Sequence, residues 1–285
     1  MKNRIFITAA VCFILIFSLS VSALAVPEDS VVSSDSELTV TLDGTALDFD
    51  TAPARIDSDI DSDIYVPMLE FCDKMGAKVL KWDDDSQSAL AIFRQFAIDA
   101  SADSSYITAN GRCLYADGGC VMQDGVLMVP LSTLAAALDA YVQCDLESGI
   151  VSISSGSGMI ESGDDFYDEE NLYWLARIIW AEAGSESFLG KVAVGNVVMN
   201  RVKSSGFPDT VYGVVFDRSC GVQFEPILNG TIYNDPTADC YAAAKLALEG
   251  ASPVGDCLFF ASISDCWAAY NRPYYGKIGR HYFYL

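Results

Sequence analysis

Residues 172–186, LYWLARIIWAEAGSE, do most to limit what this chain can fold into. On a wheel of 3.6 residues per turn, Leu172, Leu175, Ala176, Ile179 and Ala183 form one apolar stripe, which requires an amphipathic helix packed on a core. Glu182 follows Leu175 by seven residues and falls on the flank of that stripe rather than opposite it. A carboxylate held there loses part of its water, which raises its pKa. The negative end of the helix dipole pushes the same way. Glu182 is therefore a candidate proton donor near neutral pH. The alternative for the same position is a helix-end glutamate whose carboxylate snorkels out to water.

The chain begins with Lys2 and Arg4, an apolar run over 5–19, and Ala23-Leu24-Ala25. A positive region, an apolar core and a small-x-small site make a secretory signal peptide over residues 1–25. The run is short of the about 20 residues a membrane span needs. The expectation is a secreted, cell-wall-associated monomer with no transmembrane segment in its mature form. Eight cysteines follow the signal: Cys72, Cys113, Cys120 and Cys144, then Cys220, Cys240, Cys257 and Cys266. An even number in an oxidising compartment predicts disulfides, with Cys113–Cys120 and Cys257–Cys266 as first pairings. No CxxC occurs, which argues against a zinc ribbon or a dithiol redox site.

The formal net charge is −22: residues 1–25 carry +2, residues 26–165 carry −20 and residues 166–285 only −4. Such a chain has no electrostatic footprint for nucleic acid. A glycan remains open as a partner, because sugars are held by stacking and hydrogen bonds.

The first half contains a repeat with an offset of 63 residues. Val66-Pro67, Met75-Gly76-Ala77-Lys78-Val79 and Asp83 are echoed by Val129-Pro130, Leu138-Asp139-Ala140-Tyr141-Val142 and Asp145. Each copy reads as a short strand ending in Val-Pro, an amphipathic helix and two short strands. Before each stands a strand and turn, Leu42-Asp43-Gly44 and Ala109-Asn110-Gly111. Such duplication marks one supersecondary unit packed on its copy. Val66, Pro67, Gly76, Ala77, Val79, Trp82 and Asp83 resemble the copper amine oxidase N-terminal-like domain, here over residues 37–154. The resemblance implies an accessory domain for wall association, and the stretch holds no histidine to bind copper. The acidic run 57–63 fails the calcium-loop pattern, with Ser62 where glycine should turn and Met68 where glutamate should close the shell. Residues 155–167, rich in Ser, Gly and acid, read as a flexible linker.

The second half, 168–285, reads as an α+β domain. Asp168 caps the first helix, Gly184 and Ser185 end it, and a second helix covers 188–203, where Ala193 and Gly195 permit close approach. A short helix follows Pro208 to about Phe216, a third long one runs from Asp235-Pro236 to Gly250, and strands cover 257–262 and 278–284. Here the residues resemble the catalytic domain of SleB-type cell wall hydrolases, the spore-cortex lytic enzyme family. They are Ala181-Glu182-Ala183, the run 190–202 (GKVAVGNVVMNRV), Phe207-Pro208-Asp209-Thr210-Val211, Gln223-Phe224, Asn229-Gly230-Thr231-Ile232-Tyr233 and Ile278-Gly279-Arg280-His281-Tyr282-Phe283-Tyr284. The chain departs from the family at Gly184-Ser185-Glu186 and Ser262-Ile263-Ser264 and in its four cysteines, which touches substrate preference more than chemistry.

That resemblance implies a lysozyme-like fold, peptidoglycan as partner and Glu182 as the catalytic residue. It also implies cleavage of the β-1,4 bond from N-acetylmuramic acid to N-acetylglucosamine, as a lytic transglycosylase with one acid/base and no cofactor. A muramidase would need a second carboxylate, for which Glu186 and Glu225 are candidates. A wall-binding protein that keeps the fold without activity is the alternative from another class. Gln223, Asn200, Tyr233, Trp267 and Glu186 are the candidate substrate-binding residues, and Tyr274 and Tyr275 further stacking candidates. His281, the single histidine, is expected to hold a structural hydrogen bond. One histidine leaves no ligand set for a zinc amidase.

Overall fold

The computed structural model describes residues 38–56, 63–145, 148–219 and 221–285. The signal segment 1–25, most of the acidic run and Cys220 lie outside them. Residues 36–285 form one compact unit. The architecture is α+β, as the sequence predicts. No helix among the described residues is long and apolar enough to cross a membrane.

The two repeat copies meet strand to strand. Ile64–Pro67 and Val126–Pro130 pair antiparallel with Val66 opposite Val129, and the proline ending each strand caps a seven-residue helix, Met68–Lys74 or Leu131–Ala137. A strand end tolerates proline because its missing N–H takes no partner there. Each copy's terminal hairpin then joins a different sheet. Tyr141–Asp145 and Ile150–Ser154 are extended by Thr39–Leu42, which runs parallel to Ile150–Ser154. Val79–Asp83 and Ser88–Ile92 continue through Ala97–Ser101, Tyr106–Ala109 and Arg112–Tyr115 as a five-stranded meander. Leu42 pairs with Thr45 across Asp43-Gly44, and Ala109 with Arg112 across Asn110-Gly111. Both central residues have positive φ in each (49° and 81°, 50° and 80°), the type I′ geometry whose twist suits a hairpin. The helices and sheets close on Ile64, Val66, Met68, Phe71, Ile98, Ile107, Leu131, Leu134 and Ile153.

In the second half Asp168 accepts a hydrogen bond from the Asn171 backbone N–H at 2.8 Å and starts Glu169–Ala183, which stops at Gly184. Ser187 caps Phe188–Lys203 in the same way. The third long helix is Ala238–Glu249, ended by Gly250 at φ 99°. These three helices cross at Gly195. A Cβ there would stand 2.9 Å from Ile179 Cδ1 and 3.0 Å from Ala247 Cβ, so glycine permits this approach without displacing either neighbour. The C-terminal sheet has the order Phe259–Ala261, His281–Tyr284, Tyr274–Ile278. The single strand expected over 278–284 is thus a hairpin turning at Gly279-Arg280, and a short helix, Trp267–Asn271, precedes it.

Residues 155–167, expected to be a flexible linker, are tied to both repeat copies. The Ser155 hydroxyl donates to Asp43 at 2.7 Å, the Ser157 N–H to Asp139 at 3.2 Å, and Asn110 Nδ2 to the Ile160 carbonyl at 2.7 Å. Serine and backbone groups of this stretch thus bond to Asp43, Asp139 and Asn110 of the repeat and act as loop-binding groups. Beyond them Arg112 pairs with Glu249, the last residue of its helix, and Glu249 also accepts the Tyr167 hydroxyl at 2.7 Å. Lys245 Nζ donates to the Gly111 carbonyl at 2.7 Å, and Tyr106 stacks on Phe188 at 5.2 Å.

The expected disulfides are absent among the described residues: Cys72, Cys113, Cys120, Cys144, Cys240, Cys257 and Cys266 are free thiols. Cys113 packs into the core of the second half and Cys120 into that of the first. The two thiols face different cores, so closeness in sequence did not make them neighbours.

Candidate active site

Glu182 sits in the last turn of Glu169–Ala183, half-buried, where two cavities meet. One, of about 390 Å³, is lined by Glu182, Glu186, Ser262, Lys277, Arg280, His281 and Tyr282. The other, of about 620 Å³, is lined by Trp180, Ala181, Glu182, Gly184, Ser185, Glu225, Pro226, Asn229 and Thr231. Burial, and then the charge of Glu225, push the Glu182 pKa up to about 7, against a smaller opposing pull from Arg201. A carboxylic acid with that pKa is half protonated at neutrality, which suits a group that must both give and take a proton.

Glu186 has the opposite environment. Its Oε2 accepts the Arg280 backbone N–H at 3.0 Å, and its Oε1 accepts Arg280 Nε at 2.6 Å. These bonds hold its pKa below the usual carboxylate range. Its backbone carbonyl takes the Lys191 ammonium at 2.9 Å. Gly279, at φ 56°, makes room for the clamp, since a Cβ there would stand 2.1 Å from Glu186 Oε2. Glu186 thus anchors the C-terminal hairpin at the cavity wall.

The other sequence candidates are scattered. Asn200 lies on Phe188–Lys203 and donates to the Gly255 and Cys257 carbonyls at 2.7 and 2.9 Å while accepting from Asn196 at 3.2 Å. It ties the C-terminal sheet to the helix. Gln223 donates to the Gly221 carbonyl within its own loop at 3.3 Å. Tyr233 is 62% exposed and edges onto Trp174 at 6.3 Å. Trp267 is 58% exposed and packs on Phe259 at 5.6 Å. None of these four lines either cavity, whereas Glu225 faces Glu182 across the larger one.

His281 is buried, lines the smaller cavity, and stands edge-on to Phe260 at 5.2 Å. The structural hydrogen bond expected of it is missing at Nδ1, which is buried without a partner. Burial lowers its pKa and keeps the ring neutral. Arg201, unremarked in the sequence as a charge near the site, is buried among Phe207, Phe224 and Phe259 at 5.0, 5.2 and 5.6 Å. Its Nε donates to the Leu258 carbonyl at 2.7 Å, and burial lowers its pKa to about 10. Lys277 and Arg280 were also missed as cavity residues. A Gly-Arg pair between two apolar runs is a hairpin signal, and reading it would have set both cations on the turn beside Glu186.

A copper site does not fit the first half. It holds no histidine, and no group of three His, Cys, Asp or Glu among the described residues is placed to hold a metal ion.

Residues 41–153 match the copper amine oxidase N-terminal domain, and residues 185–284 match the cell wall hydrolase family. The latter match begins three residues after Glu182. The chain is 33% identical over 119 residues to a spore cortex-lytic enzyme of Bacillus cereus, covering 41% of this chain and 45% of that protein. It is 30% identical over 143 residues to one of Oceanobacillus iheyensis, covering 46% and 51%. The chain therefore spans about half the length of these curated relatives. Among solved structures, the catalytic domain of the germination-specific lytic transglycosylase SleB from Bacillus anthracis is 31% identical, with 44% of this chain and all of that one covered at a TM-score of 0.39. On the sequence matches, residues 41–153 are similar to the copper amine oxidase N-terminal domain and residues 185–284 to the cell wall hydrolase family, and the chain is similar over part of its length to the spore cortex-lytic enzymes.

Proposed function

We propose that this chain is a secreted, wall-associated enzyme that cleaves the N-acetylmuramic acid to N-acetylglucosamine bond of peptidoglycan as a lytic transglycosylase, with Glu182 as its one acid/base. The observation that carries this reading is the contrast between two carboxylates four residues apart. Burial raises Glu182 to about 7, while Arg280 holds Glu186 ionised. The homology to spore cortex-lytic enzymes supports peptidoglycan as the substrate.

Protonated Glu182 gives its proton to the glycosidic oxygen as the bond to C1 of the muramic residue breaks. The resulting carboxylate then takes the proton of the same sugar's 6-hydroxyl, whose oxygen closes onto C1. The products are a 1,6-anhydromuramic end and a free 4-hydroxyl on the next sugar, with no water consumed. Arg201 lowers the cost of the anionic form between the two steps. Tyr233 keeps an exposed ring for a sugar face, whereas Asn200 and Glu186 hold the site's frame.

Glu225, facing Glu182 across the larger cavity, favours a second reading as a two-carboxylate muramidase. Mass spectrometry of a digest of purified peptidoglycan separates the two. Products lighter by one water than the hydrolytic muropeptides establish the transglycosylase, and products of full hydrolytic mass establish the muramidase. An intact substrate leaves only a wall-binding protein. Glu182→Gln keeps the side chain's shape without its proton and should lower turnover by at least about 10²-fold.

A further inference from the structure

The two cavities that share Glu182 differ in charge. The larger has Trp180, Asn229 and Thr231 on its walls and no cation. The smaller has Lys277 and Arg280. Its one ionised acid, Glu186, is answered by Arg280 through two hydrogen bonds. Lys277 has no ion pair among the described residues, and its ammonium lies 4.7 Å from the Tyr282 ring centre. Arg280 directs Nε to Glu186 and Nη2 to Ser185, leaving Nη1 without a hydrogen bond among the described residues. His281, 5% exposed with Nδ1 unpartnered, and Ser262 complete a polar wall. A recess with a surplus positive charge is notable in a chain of net charge −22, because such a field selects for anions against its surroundings.

Of the two sugars in peptidoglycan, only the muramic residue carries an anion. Its lactyl branch ends in a carboxylate or, when a stem peptide is attached, in an amide followed by peptide carboxylates. We infer that the Lys277 cavity receives a carboxylate of this lactyl branch, so that the glycan lies with its muramic residue over Lys277 and Arg280 and its N-acetylglucosamine toward Trp180. This rests on the function proposed above and deepens it, because it sets the direction of the strand across Glu182. The muramic residue then brings its C1 and 6-hydroxyl to the cationic side, and the leaving sugar rests on the uncharged side.

The test uses three soluble muramic–glucosamine oligomers: peptide-free with a lactyl carboxylate, the lactyl methylamide of the same, and one bearing stem peptides. Wild type should show kcat/KM about three- to fivefold higher for a carboxylate form than for the methylamide, the range of a half-exposed ion pair. A preference for the first oligomer identifies the lactyl carboxylate, and one confined to the third identifies the stem peptide. Lys277→Gln should bring the ratio to parity and Lys277→Glu should invert it, with circular dichroism confirming the fold. Calorimetric binding of the same oligomers to the Glu182→Gln protein reads the preference without turnover. Equal affinity for charged and neutral forms in that protein, or a preference unchanged in both Lys277 variants, overturns the inference. Absence of any product from wild type, with the binding preference intact, overturns the catalytic reading alone.

Discussion

Arg112 and Glu249, 137 residues apart, form a two-pronged ion pair with only 11% and 8% of their side chains exposed. Arg112 also lies over the Phe166 ring at 3.5 Å, and Glu249 holds the Tyr167 hydroxyl. The pair joins the repeat to the helix that packs under Glu182. It is thus a seam between the two halves and not a surface contact.

Removing one partner of such a pair leaves the other buried and unanswered, at about 3–5 kcal/mol. Arg112→Ala should therefore lower Tm by about 6–20 °C, at about 2–4 °C per kcal/mol for a unit of this size. The double change Arg112→Met with Glu249→Leu should recover much of that loss. Calorimetry showing a shift of under 2 °C in the single variant would mean that the seam does not hold the halves together.

Turnover should depend on the proton of Glu182. With its pKa near 7, the acid form is nearly complete at pH 5 and scarce at pH 9, so kcat/KM should fall along its alkaline limb as pH rises through about 7. A limb placed below pH 5 would assign the proton to an ordinary carboxylate instead.

The same shift acts on stability with a definite sign. The folded pKa lies above the unfolded one, so folding is favoured most below about 4.5 and loses stability as pH rises toward 7. Glu182→Gln removes that penalty and should be more stable than wild type at pH 8 by about 2–3 kcal/mol, with the difference vanishing near pH 4. Glu186 works in reverse, because its depressed pKa supports the fold above the ordinary carboxylate range and fails as pH falls through the folded value. Urea titrations at pH 4, 6 and 8 on Glu182→Gln and Glu186→Gln check both signs at once.

Gly279→Ala should displace the hairpin turn. The new methyl would enter the Glu186 carboxylate, at a φ that side chains avoid. The expected result is a lower Tm together with lower activity, from loss of the Arg280 clamp. Full activity at unchanged Tm would show that the hairpin tolerates movement.

The cysteines should remain reduced. Burial raises Cys72 and Cys120 to about 12 and Cys113 and Cys257 to about 11. A thiol so placed is almost wholly protonated at neutral pH and inert. Native titration should find Cys144 most readily, as the exposed thiol among those described, while denaturation should uncover at least seven. Fewer than five after denaturation would restore the disulfide expectation.

Local signals were the readable ones. The bounds 188–203, the Asp168 cap, the Gly250 stop and the Asp-Gly and Asn-Gly turns each follow from a few neighbouring residues. The flank position of Glu182 also follows from the wheel alone. The partners of long-range polar groups were hidden: nothing near Asn200 says that it holds the carbonyls of Gly255 and Cys257. Nor does anything near Arg112 announce Glu249. The C-terminal hairpin is hidden because the run 278–284 reads as one unbroken strand, although Gly279 permits the turn that folds it.

The seam has a consequence for how the molecule meets a charged matrix. Residues 38–165 carry −16 and residues 166–285 carry −4, and the Arg112–Glu249 pair fixes one to the other. The assembly is therefore an electric dipole of set direction rather than two charges tumbling apart. In the field of an anionic polymer the heavily acidic half is turned away, and the less charged half that carries Glu182 leads. Orientation would then precede contact, with no binding site needed to produce it.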